Sequence, residues 1–385
     1  MDSAALALVV AETAAKEVPD VTDFVLNILC DTNAEPFFAG DDTSADELYR
    51  GVAMRNAHLE SDTGAYISVS TTADFYTAAK NDILSGSYLY DLYAASASDS
   101  LARLMADGSL LDVSNSDYID TDAGYYDKKT MKSLSLYGGM YLISSSAADA
   151  RWWSTATVYD TAFVNRDEVV LLALDGGFTV GEMLACGDLL YARDDVYPLF
   201  FGMGGYFART AADGCKFISL SDFGDAVDKV SQIPENNLAE TDAFALHTLY
   251  EVRGNERYGI LPLPKADEYD EYGGYIDLEK AVMLAIPKGS PVKDKTEYLV
   301  DVMASFSDEY VRPYFEAPFA DREMYDIITD AANTDLSVLL GYGDLGSLVA
   351  DCMRDGTRLT LEYYNRKALY EKAFDIIAKR LCLEE

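Results

Sequence analysis

Short apolar runs closed by breakers alternate with amphipathic stretches along the first hundred residues. Phe24–Cys30 reads as a strand that opens into a polar loop, and Asp42–Thr63 as a helix with Leu48, Val52 and Leu59 on one face. Ala65–Val69 alternates as a second strand. Thr72 is placed to cap a helix that carries Phe75, Ala79 and Ile83 and stops at Gly86. Tyr88–Ala94 is a third strand, and Ser96–Asp107 a helix with Leu101, Leu104 and Met105 inward and Gly108 as its stop. Strands that alternate with helices imply an α/β fold with a mainly parallel sheet.

The pattern then changes. Ser133–Tyr137 and Met140–Ser144 flank Gly138-Gly139, a hairpin signal. Thr155–Asn165 reads as one long strand, and Thr179–Glu182 as a capping box that opens a helix. Cys215–Ser219 is a predicted strand; Asp222–Ser231 and Asp242–Arg253 are predicted helices. Ile260–Leu263 and Val282–Ile286 are short apolar runs closed by proline, which reads as buried crossing strands. The acidic, tyrosine-rich stretch between them belongs at the surface or in a cleft. Helices follow at Thr296–Phe306 and at the C-terminus, where Tyr370, Phe374, Ile377 and Leu381 form one stripe. Ala4–Lys16 suits either a helix or a leader remnant.

In their order, these pieces resemble extracellular solute-binding proteins, the ligand-capturing components of ABC importers. Tyr258–Lys265 is similar to the family's "GILPLPK" segment, and Ala285–Pro291 to its "AIPKGSP" return. Tyr90–Leu92 with Leu101–Val113 resembles "YDLV…LAALAAQGLLLDL". The glycine pair resembles a "GGKLY" hairpin, and the strand from Thr155 resembles a crossing strand, with Arg166 where Lys is usual. The Thr179 helix resembles "WTwdELl", with Phe178 where Trp is common. Arg312–Phe319 and Asp321–Ile328 resemble segments of a clostridial-type branch. The resemblance implies a two-lobed, periplasmic-binding-protein-like α/β fold with discontinuous lobes and a hinge of crossing segments. Residues 22–140 plus 283–312 are expected to form lobe one, and 141–282 plus 313–385 lobe two.

A length of 385 residues suits two lobes rather than one core. The formal net charge of −36 argues against nucleic acid and anionic membranes as partners. It is read as a highly soluble extracellular surface, with adaptation to salt as the sharper alternative. No apolar run is long enough to span a bilayer. The N-terminus lacks the basic region of a signal peptide, so the expectation is that any export signal has been removed. Five cysteines without a CxxC pair make a zinc site or disulfide scaffold an unsuitable reading.

Enzyme signatures are missing. There is no GxSxG elbow and no Walker A motif. Phe207 stands where the dinucleotide fingerprint needs its third glycine. His58 and His247 lack identifiable catalytic partners, and the acids at 267–271 lack calcium-loop spacing. Carboxylate pairs are abundant at this acidity, so counting them supports no glycosidase.

Sugars present apolar ring faces and rows of hydroxyls, so their sites combine aromatic platforms with short polar side chains. Trp152 and Trp153 are adjacent, beside Asp149 and Arg151, and the resemblance implies that this segment lies near the cleft. Packing inside a lobe is the alternative for either ring. Tyr206 adjoins Gly204-Gly205, and Tyr275 adjoins Gly273-Gly274; each is a candidate contact or part of an ordinary turn or loop. Loops at the carboxyl ends of first-lobe strands supply Asp31-Thr32-Asn33, Ser70-Thr71 and Ser96. The candidate ligand-binding set is Trp152, Trp153, Tyr206, Tyr275, Asp31, Asn33, Asp149 and Arg151. No catalytic residue, metal or cofactor is expected. The resemblance implies a monomeric, extracellular, cell-surface or periplasmic protein that binds a small molecule, with carbohydrate first, and meets ABC permease subunits. A glycoside-active enzyme and a binding protein feeding a membrane receptor stay open as other readings.

Overall fold

A computed structural model describes residues 17–190, 196–211, 214–217, 243–340, 348, 351 and 358–382. Among them ten strands run in chain order: β1 (Val25–Cys30), β2 (Tyr66–Thr71), β3 (Leu92–Ser96), β4 (Thr155–Asp160), β5 (Leu189–Leu190), β6 (Ala208–Ala211), β7 (Gly214–Phe217), β8 (Phe244–Thr248), β9 (Tyr258–Leu261) and β10 (Val282–Ala285). They form two four-stranded sheets, β10-β3-β1-β2 and β5-β8-β4-β9, and the small hairpin β6-β7.

In the first sheet β1 is parallel to β2 and β3, in a register that pairs Ile28 with both Val69 and Leu92. β10 returns from far along the chain and pairs antiparallel to β3, Leu284 opposite Ala94. All four β10 residues are buried, as expected for an apolar run with no polar face. Helix Glu47–Thr63 covers this sheet. Asp46 caps it by accepting the Leu48 N–H at 2.8 Å, and Gly64 ends it in the left-handed region at φ 73°. Its predicted Leu48, Val52 and Leu59 are all buried. Helix Lys293–Tyr310 packs alongside. A Cβ on Gly51 would lie 2.3 Å from the Tyr310 carbonyl oxygen, so only glycine permits this close approach.

In the second sheet β4 is central and fully buried, antiparallel to β8 on one side and β9 on the other. Here the structure departs from the predicted helix Asp242–Arg253. Phe244–Thr248 is a strand with alternating burial, and only Leu249–Val252 is helical. The alternation of Phe244 and Leu246 fits period two, and pairing to β4 overrides the helical pattern.

Other boundaries shift for local reasons. β4 stops at Asp160, whose carboxylate accepts the Ala162 N–H at 2.9 Å and pairs with Arg257. Asp74, rather than Thr72, caps helix Phe75–Ser85. The Ser96–Asp107 helix is irregular over 97–101, where Asp99 has φ 58°, and becomes regular only over Ala102–Ala106. The glycine pair makes a tight turn closed by two Leu136–Gly139 backbone bonds of 2.9 and 3.1 Å. Its predicted arms do not form a ladder with each other: Lys128–Ser133 is helical, and Ile143 pairs instead with Leu284. The expectations for Ala4–Lys16 and Asp222–Ser231 lie outside the described residues. No described helix is long and apolar enough to cross a membrane.

Candidate binding site

A pocket of about 280 Å³ is lined by Thr32, Asn33, Pro36, Trp153, Tyr250, Glu251 and Lys280. Its location follows from the two sheets. Thr32, Asn33 and Pro36 follow the carboxyl end of β1, where ligand-facing loops of open α/β sheets lie. Tyr250 and Glu251 follow the carboxyl end of β8, and Trp153 precedes the antiparallel β4 at the same edge. Lys280 precedes β10, which carries the chain back to the first sheet.

The aromatic wall is built on a short turn. Asp149 caps 3-10 turn Ala150–Trp153 by accepting the Arg151 N–H at 3.0 Å. Trp153 leaves that turn and stacks on Tyr250, with ring centroids 5.4 Å apart and 15° between planes. Phe37 touches both rings, at 5.3 Å and 5.8 Å. Trp153 is 3% exposed, so the pocket meets part of a ring that is mostly packed.

The polar wall is pre-organised by charge. Asp31 spends its carboxylate on the chain: one oxygen accepts the Asn33 and Ala34 N–H groups, and the other accepts the Ser96 N–H and hydroxyl at 2.8 and 3.0 Å. Asp31 thereby positions Asn33, whose amide also donates to Ser96 at 3.1 Å. Glu251 closes a capping box with Thr248 and pairs with Lys280 at 2.7 Å. His247 at 3.8 Å, Lys280 and the Thr248 N–H hold the Glu251 carboxyl well below the usual carboxylate range. Burial opposes charge on Lys280, but Glu251 and Asp277 outweigh it and raise its pKa. Both groups are therefore charged near neutrality, and the wall carries a compensated pair beside an amide and a hydroxyl.

Of the eight sequence-selected residues, Asn33 and Trp153 line this pocket. Trp152 is 1% exposed and sandwiched behind it, 4.3 Å from Phe315 and 5.7 Å from Phe37. Asp149 is buried and bound to Arg151 through both carboxylate oxygens. Tyr275 packs 5.2 Å from Phe201 and 5.6 Å from Tyr197, and its carbonyl accepts the Thr155 N–H. Tyr206 is half-buried against the core. The glycines beside Tyr275 serve contacts within the chain: a Cβ on Gly273 would meet the Phe201 carbonyl at 2.3 Å.

Pro36, Tyr250, Glu251 and Lys280 escaped sequence selection. The Thr248-x-x-Glu251 spacing is a helix-start signal that would have separated Tyr250 and Glu251 from β8. Lys280 carries no comparable mark. Among the described residues no cluster of His, Cys, Asp and Glu is placed to hold a metal ion.

No protein-family model and no curated protein matches the chain. Many solved structures are similar to it, among them the following two. The apo form of RafE from Streptococcus pneumoniae is 14% identical with a TM-score of 0.51, covering 95% of this chain and 100% of that one. The GacH receptor of Streptomyces glaucescens, solved unliganded and in complex with acarbose and an acarbose homolog, is 13% identical with a TM-score of 0.51. That match covers 91% of this chain and 98% of the receptor. The likeness shows the fold: a two-lobed, periplasmic-binding-protein-like α/β architecture.

Proposed function

We propose that this chain is the extracellular substrate-binding component of an ABC importer and that it binds a carbohydrate in the cleft between its lobes, without turnover. The observation that carries the reading is the pocket between the two sheet edges. Its Trp153–Tyr250 wall suits the apolar face of a sugar ring, and Thr32, Asn33, Glu251 and Lys280 suit its hydroxyls. The complex of the similar GacH receptor with acarbose supports the ligand class.

The lobes we propose are 22–140 with 283–312 and 141–282 with 313–385. The first sheet draws its strands from 25–96 and 282–285, and the second from 155–261, which supports that division. Within the site, Asn33 and Trp153 are the contacts. Asp31, Asp149, Arg151 and Trp152 hold those contacts in position, and Tyr275 and Tyr206 stiffen the second lobe. Binding at both lobes favours the closed arrangement by its differential affinity for it.

A thermal-shift screen with an oligosaccharide panel, followed by product analysis, tests the function. A saturable rise in melting temperature with intact ligand is expected. Product release at catalytic rates would replace this reading with a glycoside-active enzyme.

A further inference from the structure

Beside the pocket, Arg253 reaches out of the second sheet's side of the cleft to Asp46 on the first. Its Nη2 lies 3.2 Å from Asp46 Oδ2 and 3.5 Å from Oδ1. Asp46 is the cap of helix Glu47–Thr63, which covers the first sheet. Arg253 follows the helical turn Leu249–Val252 that carries the pocket residues Tyr250 and Glu251. Two rings hold its guanidinium: the Tyr250 centroid is 5.2 Å away and the Phe315 centroid 5.3 Å. Tyr250 is the ring that stacks on Trp153. The side chain is 15% exposed, and its buried Nη1 has no acceptor among the described residues.

We propose that Arg253 and Asp46 form a latch between the lobes, positioned by the binding site's own aromatic wall. The proposal rests on the cleft-binding reading and adds the pair that sets the balance between open and closed cleft. Three observations carry it. The pair joins elements of different sheets. The arginine is pre-ordered by the same ring that lines the pocket, so a ligand on Tyr250 acts on the latch through one side chain. The aspartate end is 43% exposed, which makes the bond breakable. Ion pairs open to water contribute little, so the latch shifts the open–closed ratio by roughly 2- to 5-fold and leaves the lobes free to separate.

Amide hydrogen exchange of the ligand-free protein tests this without assuming any ligand. Asp46→Asn removes the charge and keeps a helix cap; Arg253→Gln removes the other partner. Each is expected to speed exchange in peptides spanning 33–38 and 249–253 by about 2- to 5-fold, with the double variant no faster than the faster single one. Arg253→Lys should restore part of the protection. Unchanged exchange in both peptides, or additive effects of the two substitutions, would overturn the latch. So would faster exchange throughout 47–63, which marks a lost cap instead. The carbohydrate screen separately decides the ligand class, so either idea can fail alone.

Discussion

Replacing Trp153 by Ala perturbs the centre of the site and has a magnitude set by packing. The ring is 3% exposed and touches Tyr250 and Phe37. Burying about 200 Å² of aromatic surface at about 25 cal/mol/Å² is worth up to about 5 kcal/mol, an upper limit because unfolded chains already bury some of it. Aromatic truncations in cores cost about 3–5 kcal/mol, which agrees. Trp152→Ala should cost a similar amount, because that ring lies between Phe37 and Phe315. The two differ in binding. Trp153→Phe keeps an aromatic stack on Tyr250 but reshapes the pocket, so affinity should fall with stability nearly retained; Trp152→Phe should leave affinity within twofold. Urea denaturation measures the first pair and calorimetric titration with a screened carbohydrate the second. A loss below about 1 kcal/mol for either alanine variant, well under the core-truncation range, would refute the packing argument. A binding defect in Trp152→Phe alone would refute the assignment of the pocket-facing ring.

Glu251→Gln keeps a capping-box side chain and removes the charge. The folded pKa of Glu251 lies below its unfolded value of about 4.3, so its contribution is present above that value and lost as pH falls through the folded one. The variant should be less stable at pH 7, with the difference narrowing below about pH 4 in pH-dependent melting; a constant difference would contradict the ionic role. Gly273→Ala should destabilise by about 1–3 kcal/mol or more, because its Cβ meets backbone carbonyls that cannot swing aside; an unchanged denaturation midpoint would contradict it. With a formal net charge of −36, the melting temperature should rise between 0.05 and 1 M sodium chloride as self-repulsion is screened, and a flat salt profile would contradict that reading of the acidity.

The first sheet was legible because its strands are short apolar or alternating runs bounded by turn and loop residues, and its helices carry their own starts or stops. Gly64, Gly86 and Gly108 all adopt positive φ where a helix ends. The second sheet was less legible at β8. Phe244–Thr248 and the turn after it carry apolar residues at spacings that suit a helix, and only pairing with β4 decides for a strand. The site was legible in part. Adjacent tryptophans marked the region, but which ring is enclosed depends on Phe37, Tyr250 and Phe315, which come from three distant segments. Asp31 and Asp149 have the chemistry of ligand contacts, yet neighbouring N–H groups and Arg151 take up their oxygens, which composition does not reveal.

The chain's only two tryptophans are adjacent, and one of them lines the pocket, so intrinsic tryptophan emission reports on the site directly. A carbohydrate that raises the melting temperature should change this emission saturably, at 1:1 stoichiometry, and the change should shrink in Trp153→Phe but persist in Trp152→Phe. A carbohydrate that stabilises the protein while leaving the emission untouched would place binding elsewhere and contradict the account.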